Sequence, residues 1–214
     1  MNPKELKELA IKDAKCRLIL DAAQNVFREK GIWNARMEDI AAIAGFSKPS
    51  LYNYYPDKEA IVISLAIREM RALSDKIDLV ASRQGSFVEC VEEIVRSILL
   101  QIADSFSMIL DIAEYQRIAS LTADMAKHTE LVTRFRETAT QIFKACTTLV
   151  EKGRTSGEIG STLPADVMAQ FLLSMTQSIQ MNWKMQGKID DIEVAVSQLL
   201  NFIKNGFAIK TYQK

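Results

Sequence analysis

Apolar residues return every three or four positions along almost the whole chain and nowhere alternate over the length of a strand, so the pattern predicts helices from end to end. Ile19, Ala22, Ala23, Val26 and Phe27 form a first stripe that closes at Lys30 and Gly31, with Leu6 and Leu9 extending it towards the amino terminus. Ile40, Ala41 and Ala44 share one face of a helix of about two turns. Its first turn carries Glu38 and Asp39, where carboxylates meet the positive end of the helix dipole. Gly45 then turns the chain through a left-handed backbone, and Phe46 plugs the corner.

Ser47 is the natural N-cap of the next helix, which tolerates Pro49 because its first turn has no use for the missing N–H. Leu51 and Tyr55, four positions apart, share its buried face and leave Lys48, Pro49, Ser50, Tyr52, Asn53 and Tyr54 largely outward. Pro56 stops this helix and Asp57 caps the one after it. Lys58 therefore stands at a helix start, where N–H groups and the dipole also favour an anion such as phosphate. The small Ala41 and Ala44 let the two short helices approach closely at a steep angle, the geometry of a helix-turn-helix whose second helix enters the major groove. The outward side chains suit that use: lysine and tyrosine bond phosphate oxygens, asparagine and serine bond base edges.

From helix one ending in Gly31, through D-I-A-A-I-A-G-F-S-K-P-S-L-Y-N-Y-Y-P-D-K-E-A-I ending at Ile61, the chain resembles the TetR family of transcriptional regulators. The resemblance implies that Tyr52 and Lys58 grip phosphates while Lys48, Pro49, Ser50, Asn53 and Tyr54 face bases or nearby backbone, with Ser47 beside them. Two positions depart from the family pattern. Arg36 stands where a capping serine or threonine is common, which makes Asn34 the candidate cap and leaves Arg36 to reach a phosphate; Tyr55 replaces a common phenylalanine.

Residues 58–81 read as one long helix, broken by Arg83, Gln84, Gly85 and Ser86. Helices follow over 86–104, once or twice within 106–126, and over 129–152. Residues 153–164 read as a loop by their three glycines and a proline. Two helices of about five turns come last. Met168, Phe171, Leu172, Met175 and Ile179 line one face of the first, and Ile192, Val196, Leu199, Ile203 and Phe207 one face of the second. Such stripes can be satisfied inside one subunit; the family resemblance instead implies that they pair with their copies across a two-fold axis as a four-helix bundle. The expectation is thus an all-α chain: a helix-turn-helix DNA-binding domain over 1–58 and a larger helical ligand-binding and dimerisation domain over 59–214.

Chemistry narrows this further. Methionine and aromatic residues concentrate between Met108 and Trp183. There Met108, Ile112, Tyr115, Phe135, Phe143, Phe171, Met175, Met181 and Trp183 are candidates for the wall of a small-molecule site, with Gln116, Gln141 and Asn182 as polar anchors. His128 is the only histidine, which removes multi-histidine metal sites and histidine-paired nucleophiles; it reads as a surface residue at a helix start. The three cysteines lack metal or redox spacing, no phosphate-cradling or dinucleotide glycine motif is present, and neither metal nor cofactor is expected.

Formal net charge is zero, but residues 1–58 hold ten Lys and Arg against eight Asp and Glu, and the remainder seventeen against nineteen. An excess of two positive charges in the first part is too small to coat DNA, so binding rests on a few placed phosphate contacts. No uninterrupted apolar run of about 18 residues indicates a membrane span, and the first residues lack a secretion core, so a cytoplasmic protein is expected. The sequence reads as a dimeric, sequence-specific regulator of transcription, a repressor released from a palindromic operator in double-stranded DNA by a small apolar or amphipathic effector. Its rival is a helical ligand- or partner-binding protein that no longer reads DNA.

Overall fold

The computed structural model describes residues 2–83, 85–104 and 127–206. They form eight α-helices: α1 Pro3–Asn34, α2 Met37–Ala44, α3 Lys48–Tyr52, α4 Lys58–Ser82, α5 Phe87–Asp104, α6 Thr129–Thr155, α7 Ala165–Gln186 and α8 Ile192–Gly206. The chain is all-α, as its periodicity predicts, and no described helix is long and apolar enough to cross a membrane. The expected helices within 106–126, and with them Met108, Ile112, Tyr115 and Gln116, lie outside the described residues, as does Phe207.

Two compact units emerge, which described residues 2–68 with 127–135 and 69–104 with 136–206 make up. In the first, α1 breaks at Gly31, whose φ of 71° places it where side chains are strained, so the helix predicted to close there does so. Ile19, Ala23, Phe27, Ile32, Ile40, Leu51, Ile61 and Leu65 are fully buried in one core, which Leu131 and Phe135 cover from α6. Phe135, one of the candidate ligand residues, is half-buried and packs against the core of this head.

In the second unit α5 packs on α7 and α8. Met168, Leu172, Val196, Leu199 and Ile203 are all buried by the chain itself. A partner copy cannot reach them, which corrects their assignment to a dimer interface; Met175, Ile179 and Ile192 are half-buried. The apolar periodicity of these helices marks the face turned to their own subunit. Their opposite faces remain open: Val167, Phe171, Met181 and Met185 on α7 follow one another at helical spacing, with Val194 and Phe202 exposed on α8.

The helix expected to end at residue 152 continues to Thr155, with Gly153 inside it. Gly153 serves close packing there, since a Cβ would lie 2.9 Å from Phe87 Cγ and 2.9 Å from Ile159 Cδ1. The turn follows at Gly157, φ 77°, and the Glu158 carboxylate beyond it accepts from the Phe87 N–H at 2.7 Å, capping α5.

Candidate nucleic-acid interface

The reading pair is built by local rules. Gly45 adopts φ 72° with open space around its Cα, so backbone conformation and not crowding demands the glycine. The Phe46 N–H then returns to the Ala41 carbonyl at 2.9 Å, closing the end of α2. Ser47 caps α3, its Oγ accepting from the Ser50 N–H at 3.3 Å and lying 2.8 Å from Ser50 Oγ. Leu51 is fully buried and Tyr55 nearly so, as their spacing predicts. Burial and the neighbouring Cys16 thiol push the Tyr55 phenol above the usual tyrosine range, so it remains a neutral donor.

At the start of α2 the Arg36 backbone takes the N-cap position, and its N–H donates to Asp39 Oδ2 at 3.2 Å. A guanidinium has no lone pair to offer in return, so this is half of a capping box, with Asp39 the active half. Lys30 pairs with the same carboxylate at 2.9 Å. Asn34 is not the substitute cap: its amide donates back to the Lys30 carbonyl at 3.1 Å and so closes α1. The Arg36 side chain is left exposed.

The structure leaves Lys48, Pro49, Tyr52 and Asn53 exposed on α3 and its end, with Ser50 half-buried. Lys48 is ion-paired with Glu38 of α2 and lies 6.0 Å from the centre of the Tyr52 ring. The Glu38 hydrogen bond holds the Lys48 ammonium above the ordinary lysine range, so it arrives at any anion fully charged.

Two residues expected on this surface are used elsewhere. Tyr54 is half-buried, edge-on to Phe46 at 5.8 Å between ring centres, with the Lys15 ammonium of α1 over its ring at 5.9 Å from the centre. Lys58 Nζ donates to the carbonyls of Ile32 at 2.7 Å, Ala35 at 3.1 Å and Trp33 at 3.3 Å. Those carbonyls belong to the last turn of α1 and its cap, so the three ammonium hydrogens meet acceptors at a helix end, where the dipole also favours a cation. In this structure the ammonium is committed inside the head, and burial holds it below the usual lysine range.

Asp57 Oδ1 accepts the Ala60 N–H at 2.9 Å and caps α4, and His128 Nε2 lies 3.0 Å from Asp57 Oδ2. The His128 side chain is only 8% exposed, so it is an internal tie and not the expected surface residue. The two residues stand 71 positions apart, and nothing local to either marks the pairing.

Of the candidate ligand residues in the second unit, Trp183 is buried, Phe143 and Met175 half-buried, and Phe171 exposed. Gln141 is exposed in an open cleft of about 400 Å³ with Arg71, Asp75, Asp78 and Lys144, a polar setting unlike an apolar pocket. On α7, at helical spacing from the buried Thr176 and Trp183, the Gln180 Nε2 is buried and has no hydrogen-bond partner among the described residues. Among the described residues no group of side chains is arranged to hold a metal.

Residues 19–65 match the sequence model of a family described as bacterial regulatory proteins, tetR family. The fatty acid metabolism regulator protein of Bacillus subtilis is 24% identical over 206 residues, covering 91% of this chain and 96% of that one. The HTH-type transcriptional repressor BepR of Brucella suis is 26% identical over 188 residues, covering 86% and 88%. Among solved structures, the transcriptional regulator FadR of Bacillus subtilis, in complex with stearoyl-CoA, superposes with a TM-score of 0.71 at 20% identity, covering 89% of this chain and 98% of that one.

Proposed function

We propose that this chain, which belongs to the TetR family of transcriptional regulators, is a homodimeric repressor that grips a palindromic operator in double-stranded DNA and leaves it when a small apolar or amphipathic effector binds the carboxy-terminal helices. The carrying observation is the reading surface. Ser47 starts a short helix whose core side is anchored by Leu51 and Tyr55, while Lys48, Tyr52 and Asn53 are exposed. Residues 1–58 carry the DNA-reading surface of a head whose core reaches Leu65 and is covered by Leu131 and Phe135, and the helices of the second unit carry the effector and dimer surfaces. The protein works in the cytoplasm, where its DNA is, and the role needs no catalytic step.

At the operator, Lys48 exchanges the Glu38 carboxylate for a phosphate, Tyr52 donates to a second phosphate, and Asn53 meets a base edge. The exposed faces of α7 and α8 meet their copies, which sets the separation of the two reading helices to successive major grooves. The effector binds the conformation with the wrong separation more tightly, because a ligand of equal affinity for both states shifts nothing. Its class follows from two supports. The unpartnered Gln180 amide beside Trp183 suits an acceptor oxygen on an apolar body, and the similar FadR was solved with an acyl thioester. A long-chain acyl thioester has both parts.

The test recovers an operator from a random-sequence pool and measures binding by anisotropy in excess competitor DNA. Saturable binding that stearoyl-CoA reverses supports the whole reading. Binding that a panel of acyl thioesters leaves unchanged removes the effector class, and failure to enrich any sequence favours the partner-binding rival.

A further inference from the structure

α1 begins long before anything packs on it. Residues 2–15 are all exposed, Cys16 is the first to be partly covered, and the first core residue is Ile19. A helix end of this length without tertiary contacts is marginal in water. Here its first turn is closed by a reciprocal capping box: the Glu5 N–H donates to Asn2 Oδ1 at 2.9 Å, and the Asn2 N–H to Glu5 Oε2 at 2.8 Å. The sequence thus keeps an arm helical that contributes no burial to the fold.

The arm has a charged side with a direction. Lys4, Lys7, Ile11, Lys15 and Leu18 follow at steps of three and four, on one face of the helix. Glu5 and Asp13 lie away from that face and Glu8 borders it. Among the described residues, none of Lys4, Lys7 and Lys15 has a carboxylate partner. Lys15 is the fixed point, because its ammonium sits over the Tyr54 ring directly after the reading helix. The lysine face of the arm is therefore on the side of the head that carries α3. From Lys4 to Lys15 it spans about 16 Å at the helical rise, the length of several phosphates along a strand.

We infer that the amino-terminal arm of α1, residues 3–15, is a second DNA-contacting element. Lys4, Lys7 and Lys15 lie along the phosphates that flank the groove entered by α3. The inference rests on the DNA-binding reading above and adds to it an element outside the helix-turn-helix. It also answers the charge balance of the chain. A protein with no net charge gains placed phosphate contacts from an arm whose three ammoniums on one side have no carboxylate partner among the described residues. The contacts carry affinity and not sequence preference, since phosphates are alike at every step.

The experiment uses the full chain and an operator that the wild type enriches from random DNA. Lys4→Gln, Lys7→Gln and Lys15→Gln are combined in one variant, because glutamine keeps helix propensity. The slope of log affinity against log salt should fall by about 2.7 units, at about 0.9 for each lost phosphate contact. Preference across a panel of operator variants, and the melting temperature, should not move. Trimming the flanks of the operator should weaken the wild type and leave the variant indifferent. Lys12→Gln, off that face, should keep the wild-type slope. An unchanged slope in the triple variant, with the wild type binding normally, overturns the arm's role alone. A wild type that enriches no operator overturns the DNA-binding reading and this inference with it.

Discussion

Lys58 and Tyr52 sit six positions apart and look equally suited to phosphate, yet only the tyrosine presents its donor to solvent. Replacing Lys58 with methionine leaves three carbonyls at the end of α1 without their donor. Unfolding in urea should show a loss of about 1.5–3 kcal/mol, the range for hydrogen bonds to a charged group. Tyr52→Phe should stay within about 0.5 kcal/mol of the parent, while binding weakens evenly across related operators; Asn53→Ala should instead relax preference at one or two base pairs. A second residue-scale expectation concerns acid. The Lys30 hydrogen bond and then the Arg36 N–H hold the Asp39 carboxyl below the ordinary aspartate range. Its folded value lies under its unfolded one, so its stabilisation is present above the unfolded value and lost as pH falls through the folded value. Asp39→Asn should therefore melt below the parent at neutral pH and converge with it in acid; a gap that persists at low pH would assign the difference to something other than this carboxylate.

Elements were legible wherever a local rule decides them. The glycine turn at Gly45, the serine cap at Ser47, the buried Leu51 and Tyr55 and the Asp57 cap on α4 all depend on neighbours within a few positions, and all are found in place. What depended on distant partners was not legible. Periodicity says that Met168 and Ile203 face something apolar, but not whether that is a partner copy or the chain's own α5. Lys58 reads as free until the end of α1 is brought to it, and His128 as exposed until Asp57 is. Gly153 reads as a loop residue because glycine signals turns and close packing alike. The two uses separate by mutation: Gly153→Ala gains up to about 1 kcal/mol of helix propensity but forces a methyl against Phe87. That overpacking costs about 1–3 kcal/mol, so a net drop in melting temperature is expected. On α7, Phe171→Lys and Met181→Lys should yield folded monomers in sedimentation, whereas Met168→Lys should fail to fold because the new charge has no water to reach. Undisturbed dimers for both surface variants would place the interface away from this face.

For the whole molecule, operator and effector must compete through one equilibrium. At a hundredfold excess over its dissociation constant, an effector adds about 2.7 kcal/mol to the state it binds, and operator DNA must weaken the effector by the factor by which the effector weakens the operator. Calorimetric titration of one acyl thioester with and without operator checks the two factors; equal affinities would show a ligand that binds without regulating. The shortness of α3 has a consequence on a longer timescale. The head's core takes only Leu51 from within the five residues of this helix, and Tyr55 just after it. Lys48, Tyr52 and Asn53 carry almost none of the fold's stability, so a lineage can exchange them one at a time without passing through unfolded intermediates. A library randomised at these three positions should return mostly soluble proteins with parental melting temperatures and a spread of operators. Duplicated copies of such a gene can then drift to new targets while keeping the same body.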